Sequence, residues 1–168
     1  MSVLELVAQP LTADAFAPFG EVIECSGDPT APMNDGHFDR FDDLCSIDVG
    51  ADSAVALGIV RCRVNSSLPY RVEVVERHPL GTQAFIPLSG QRFVVAVAPP
   101  GSEFNLCDLQ AFISNGKQGI NYRRGTWHMP LIAFGENESF LVIDRSNQQA
   151  NTEHCEVPIP VIVKDPLQ

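Results

Sequence analysis

Residues 70–90 read Tyr70-Arg-Val-Glu-Val-Val-Glu-Arg-His-Pro-Leu-Gly-Thr-Gln-Ala-Phe-Ile-Pro-Leu-Ser-Gly90, and the alternation at their start is that of a β-strand. Successive side chains of a strand point to opposite faces. Val72, Val74, Glu76 and His78 therefore share one face, and Glu73, Val75 and Arg77 the other. Two valines lead directly to a carboxylate and an imidazole. Pro79 and Gly81 turn the chain, and the apolar run Ala84 to Leu88 follows beside Gln83 as the second arm of a hairpin closed at Gly90. A strand that carries Glu76 and His78 into an apolar setting, with Gln83 nearby, is where chemistry is expected first.

Outward from this stretch, strand follows strand. Residues 3–8, 21–24, 54–64, 92–98 and 109–113 are short apolar or β-branched runs, separated by signals such as Pro99-Pro100-Gly101 and Asn115-Gly116. Thr12 is placed to cap a brief helix through Phe16, ended by Pro18 and Gly20. Leu131–Phe134 and Ser139–Asp144 read as a closing hairpin with residues 135–138 at its tip. In the tail from Gln148 to Gln168, the run Val157–Val163 is broken by Pro158 and Pro160, which suits an edge strand at best. With 13 prolines and 12 glycines punctuating these runs, an all-β fold is expected. The 168 residues show no break in composition, so residues 1–168 are read as one domain.

The formal net charge of −10 sets up a field that repels phosphate backbones and anionic membrane surfaces, so neither nucleic acid nor membrane is expected as a partner. Five cysteines, an odd number with no C-x-x-C pair, signal neither a disulfide framework nor a cysteine zinc site. The first ten residues carry no basic residue ahead of their apolar stretch, and no apolar run reaches membrane-spanning length. The expected location is the cytoplasm.

Two further segments carry candidate chemistry. From Cys25 to Gly50 the chain is polar and turn-rich, either a solvated surface loop or a functional one. Its Arg40 has the fork geometry that grips a small carboxylate with two parallel hydrogen bonds. Residues 119–130 place Tyr122, Arg123, Arg124, Trp127 and His128 around the glycine turn at Gly125. If Tyr122 and Arg124 share the interior face, Arg124 points inward and Arg123 outward. Trp127 is expected as packing or a pocket wall.

Glu76-x-His78-x4-Gln83-x6-Gly90 and Arg123-x-Gly125-x-x-His128 resemble the two motifs of the cupin barrels, with Glu76 at the first histidine position, Gln83 in place of the usual glutamate and Arg123 in place of a proline. The run His78-Pro79-Leu80-Gly81-Thr82-Gln83-Ala84-Phe85-Ile86-Pro87 is more specific. Together with Asn115-Gly116-x-Gln118-Gly119, Tyr122-x-Arg124-x-x-Trp127-His128-x-Pro130-Leu131, Asn34-x-Gly36 and Arg40-Phe41-x-Asp43-Leu44, it resembles the ureidoglycolate lyase family over residues 10–145. The resemblance implies a cupin-like double-stranded β-barrel, a jelly roll, with a short N-terminal helix. It also implies a homodimer late in allantoin breakdown, splitting (S)-ureidoglycolate into glyoxylate and urea, with nickel or another divalent metal as cofactor.

That substrate is a carbinolamide bearing a carboxylate. Cleavage needs its hydroxyl deprotonated, its carboxylate held and the departing urea nitrogen protonated. His78 and His128 are the first choices as metal ligands or as general acid and base. Glu76 would bind metal, carry a raised pKa or pair with an arginine. Gln83 is a weak candidate ligand, a group to orient the urea, or a turn amide. Arg40, Tyr122 and Arg124 are candidates for holding the carboxylate. Two rivals stay open: an amidohydrolase releasing ammonia and carbon dioxide, and a non-catalytic cupin that binds a small hydroxy acid.

Overall fold

A computed structural model describes residues 2–146 and 151–167. In chain order its strands are β1 (Leu4–Val7), β2 (Gln9–Pro10), β3 (Gly20–Ile23), β4 (Ala31–Met33), β5 (Phe38–Arg40), β6 (Val55–Arg61) and β7 (Tyr70–Arg77). They continue with β8 (Gln83–Pro87), β9 (Val94–Ala98), β10 (Gln110–Ile113), β11 (Gly119–Tyr122), β12 (Trp127–His128), β13 (Ser139–Arg145) and β14 (Glu153–Lys164). One helical turn, α1 (Ala13–Phe16), is capped as expected: the Thr12 hydroxyl accepts from the Ala15 amide at 3.3 Å.

The strands form a seven-stranded sheet, ordered β1-β14-β7-β12-β9-β10-β2, and a five-stranded sheet, ordered β3-β11-β8-β13-β6. β1 and β2 lie on opposite edges of the larger sheet yet are joined only through Ala8. The sheet must therefore curl until its edges nearly meet, and this gives the expected cupin-like all-β barrel. Burial follows from that shape. Val94, Ala96 and Ala98 of β9 pack inside the curl with Val72, Val75, Trp127, Val161 and Val163. Val95 and Val97 face the other way, against Phe85, Ile120, Tyr122, Phe140 and Val142 of the smaller sheet. Covered on both sides, β9 is buried along its whole length.

Several expectations change. The arms of the anticipated 70–90 hairpin lie in different sheets, so Pro79–Gly81 is a corner between sheets, stitched by the Thr82 amide to the Asp48 carbonyl at 2.7 Å. Strict alternation also fails along β7: Val72 and Val75 are buried in the same cluster. The cause is the change of register in the β7–β14 ladder between Glu156 and Val161, which adds twist and shifts the face. The tail is not an edge strand, because β14 is flanked by β7 and by the parallel β1. Its prolines are tolerated because Pro158 and Pro160 fall within the bulge, where neither neighbouring ladder needs their missing N–H.

Leu131–Phe134 is no strand either. Ile132 joins one core cluster and Ala133 the other, and the partner of β13 on that side is β6. Within the polar segment Cys25–Gly50, β4 and β5 pair as a small hairpin turning on Asn34, Asp35 and Gly36, all at positive φ. At Asn115-Gly116 the chain bends from the larger sheet into the smaller instead of closing a hairpin, since β10 and β11 lie in different sheets, and the bend passes through a site only glycine fits. Gly116 has φ +89°, and a Cβ there would lie 2.6 Å from the Gly90 carbonyl oxygen.

Candidate active site

β7 runs between β12 and β14, and the register puts three residues in one row: His128 on β12, Glu76 on β7 and His154 on β14. The row faces the smaller sheet, whose β8 and β11 place Gln83 opposite Tyr122. His78 lies just past the end of β7, held there by its carbonyl accepting the Gly125 amide at 2.9 Å. Ligand atoms of Glu76, His78 and His128 lie within 4.8 Å of one another. The ring centroids of His78 and His128 are 5.1 Å apart.

His128 is 1% exposed and stacks on Tyr122, with centroids 4.1 Å apart and planes at 15°. Its Nδ1 donates to the Thr126 carbonyl at 2.9 Å, so in the neutral ring Nε2 carries the lone pair. That Nε2 is buried without a hydrogen-bond partner among the described residues. It faces Glu76 Oε1 at 3.6 Å, too far for a hydrogen bond. Two electron-pair donors thus point at one another with no donor between them, an arrangement completed by a cation, whether a proton or a metal ion.

Glu76 is held below the usual carboxylate range: the adjacent His128 imidazole, chiefly, outweighs the opposing effect of partial burial, with weaker help from His78 and His154. His78 is 8% exposed. Its Nδ1 meets the Asn151 carbonyl at 2.8 Å and its Nε2 the Gln83 Oε1 at 3.0 Å. A doubly protonated ring would satisfy both oxygens. Burial opposes that charge, as does neighbouring His128, and the pKa of His78 is lowered. Gln83 in turn donates its amide nitrogen to Asp144 Oδ2 at 3.3 Å.

Tyr122 is 3% exposed, and burial pushes its phenol far above the ordinary value, so it serves as a neutral wall. Arg124 does not point inward. It is exposed and pairs with Asp48 at 2.8 Å, while Arg123 reaches the Ala17 carbonyl. Arg40 is exposed on β5, with its Nε 2.7 Å from Asp42, and is outside the gathered group. Trp127 packs in the core inside the curled sheet, as expected, with Arg77 over its ring.

A cavity of about 370 Å³ opens beside Glu76, Gln83 and Phe85, and Arg61 and Arg63 are on its wall. A smaller one of about 160 Å³ lies on the other side of Gln83, lined by His78, Asp144 and Arg145. Another groove, of about 470 Å³, follows the β7–β14 bulge and touches none of the cluster.

His154, Asp144, Asn151, Arg61 and Arg63 were missed in the sequence. His154 approaches Glu76 only through the pairing of β14, and the broken apolar pattern of the tail concealed that strand. Asp144 and Arg61 sit at ends of strands that were recognised, but which face each takes depends on the cross-sheet register.

The architecture and the site define a class: a cupin-like β-barrel enzyme with two imidazoles and a carboxylate gathered between its sheets. The chain belongs to the ureidoglycolate lyase family, whose model, described as ureidoglycolate lyase, matches residues 3–164. A protein named ureidoglycolate lyase from Burkholderia mallei is 43% identical over 153 residues, spanning 91% of this chain and 89% of its own length. One of the same name from Chelativorans sp. is 41% identical over 161 residues, spanning 93% and 94%. Another, from Pseudomonas syringae pv. syringae, is 39% identical over 163 residues, spanning 96% of each.

Proposed function

We propose that this chain cleaves (S)-ureidoglycolate to glyoxylate and urea, a carbon–nitrogen lyase step in the breakdown of allantoin. The observation that carries the reading is the convergence of Glu76, His78 and His128, in a chain of this family, on a polar site between two sheets. The electron count needs no water. The hydroxyl proton leaves, the O–H electrons become the aldehyde C=O, the C–N bond breaks toward nitrogen, and that nitrogen takes up a proton to complete urea.

The residues have positions suited to that traffic. His128 Nε2, with its lone pair turned inward by the Thr126 carbonyl, accepts the hydroxyl proton. His78, bracketed by two acceptor oxygens, delivers a proton to the departing nitrogen. Gln83, tethered to Asp144, orients the urea amide, and Tyr122 forms the wall against which His128 is stacked. Arg61 and Arg63, on the wall of the cavity beside Glu76, supply positive charge for the substrate carboxylate, with Arg124 at Asp48 as a more distant contributor.

A divalent metal, nickel by family resemblance, also fits these donors. The partnerless His128 Nε2, the Glu76 carboxylate and His78 would hold it, and it would supply Lewis-acid acidification of the substrate hydroxyl. The protein works as a homodimer in the cytoplasm. Support for the dimer comes from edge strand β6, whose Val55, Leu57 and Ile59 are 54%, 70% and 64% exposed. The function is tested by a timed incubation with ureidoglycolate, assaying urea, glyoxylate and ammonia separately. Urea and glyoxylate should rise one for one with ammonia flat; ammonia without urea would make it an amidohydrolase, and no turnover would leave a binding protein.

A further inference from the structure

The carboxylate of Glu76 has two oxygens, and a histidine from each neighbouring strand addresses one of them. Oε1 faces His128 Nε2 on β12, and Oε2 lies 3.2 Å from His154 Nε2 on β14. The row His154–Glu76–His128 follows from the strand pairing, in which both histidines are direct cross-strand partners of Glu76. His154 differs from the other two imidazoles in being 59% exposed at its side chain, on the solvent side of a carboxylate that is only 21% exposed.

We propose that His154 is a positioning residue for Glu76: its Nε2–H donates to Oε2 and so keeps Oε1 turned toward the His78 and His128 imidazoles. A neutral ring suffices, because the donor is an N–H and not a charge. The reason a donor is needed is conformational. The terminal torsion of a glutamate is broad, so backbone placement alone leaves the carboxylate plane free to swing. A hydrogen bond from the neighbouring strand removes that freedom, as outer hydrogen bonds do for groups that face a reacting centre.

The strand that carries His154 is held independently of it. Glu153 to Glu156 pair by backbone with Arg77 to Val74, and Arg77 makes an ion pair with Glu153 at 2.5 Å. Replacing the exposed His154 therefore removes its 3.2 Å contact with Glu76 without displacing the strand. This inference rests on the reading of Glu76, His78 and His128 as the reaction centre, and the test separates the two.

Steady-state kinetics on ureidoglycolate are measured for the wild type, His154→Ala, His154→Gln and Glu76→Gln. His154→Ala should lower kcat about 10- to 100-fold and leave KM within about twofold. His154→Gln, whose amide keeps an N–H donor at similar reach, should recover to within about threefold of wild type. A role confined to folding would leave kcat per folded molecule unchanged in both variants. Wild-type kcat in His154→Ala with an inactive Glu76→Gln overturns the positioning role and leaves the reaction centre standing. Equal losses in His154→Ala and His154→Gln, or an effect on KM alone, also overturn it. Wild-type activity in Glu76→Gln removes both readings together.

Discussion

His128 is a packed core ring as well as the proposed proton acceptor, and a variant that tests the chemistry has to respect the packing. The ring is 1% exposed and stacked on Tyr122, so truncation to alanine would open a cavity and confuse lost catalysis with lost stability. His128→Asn keeps a polar group of smaller size and removes the imidazole. Its kcat should fall about 10²- to 10⁴-fold, with a urea-denaturation midpoint much nearer wild type than that of His128→Ala. The pH dependence of stability belongs to the same pair of strands. His78 has a pKa lowered from 6.5, so the unfolded chain takes its proton first and stability declines as the pH falls below 6.5. Glu76 is lowered from 4.5, so its contribution is complete above that value and lost as the pH falls through its folded pKa. Both slopes run the same way. Denaturant midpoints should drop on acidification in two steps, and His78→Asn should flatten the upper one. At this scale Glu76, His78, Gln83 and His128 were legible because their spacing matches a known motif. Their hydrogen-bond acceptors, Thr126, Asn151 and Asp144, were not, because each is set by folding and not by spacing.

Among the elements, β14 decides how the barrel closes. It lies between β7 and β1 and brings His154 to Glu76, and its inner residues Val161 and Val163 are fully buried. Val161→Ala should cost about 2 kcal/mol, measured by urea denaturation, because a buried methyl-bearing side chain is lost at a site held on both sides. An edge strand would tolerate the change with little loss. The sequence suggested such an edge because two prolines broke the apolar run, and proline does forbid a continuous ladder. What sequence alone did not reveal is that the ladder can skip four residues and resume. The same bulge explains the slip in alternation on β7, where a strict period of two fails between Val72 and Val75. A local signal with a side-chain mechanism, the Thr12 cap, was read correctly. Pairings between sheets were not, as the corner at Pro79–Gly81 shows, since a turn signal does not say which sheet the chain enters next.

For the molecule as a whole, the curled large sheet and the smaller sheet hold Glu76, His78 and His128 between them, and edge strand β6 exposes Val55, Leu57 and Ile59. Size-exclusion chromatography with light scattering should give twice the 18.3 kDa chain mass for the wild type and a shift toward monomer for Leu57→Glu. A wild-type monomer would count against β6 as the dimer edge. We assign carbon–nitrogen cleavage to the Glu76–His78–His128 cluster. Its most direct measurement is product stoichiometry from ureidoglycolate for wild type and His128→Asn in parallel, each assayed metal-stripped and nickel-restored against a protein-free control. Equal urea and glyoxylate from the wild type, flat ammonia, and near-background rates from His128→Asn in both metal states are expected. Ammonia in place of urea, or a His128→Asn protein that keeps pace with wild type, would contradict the assignment.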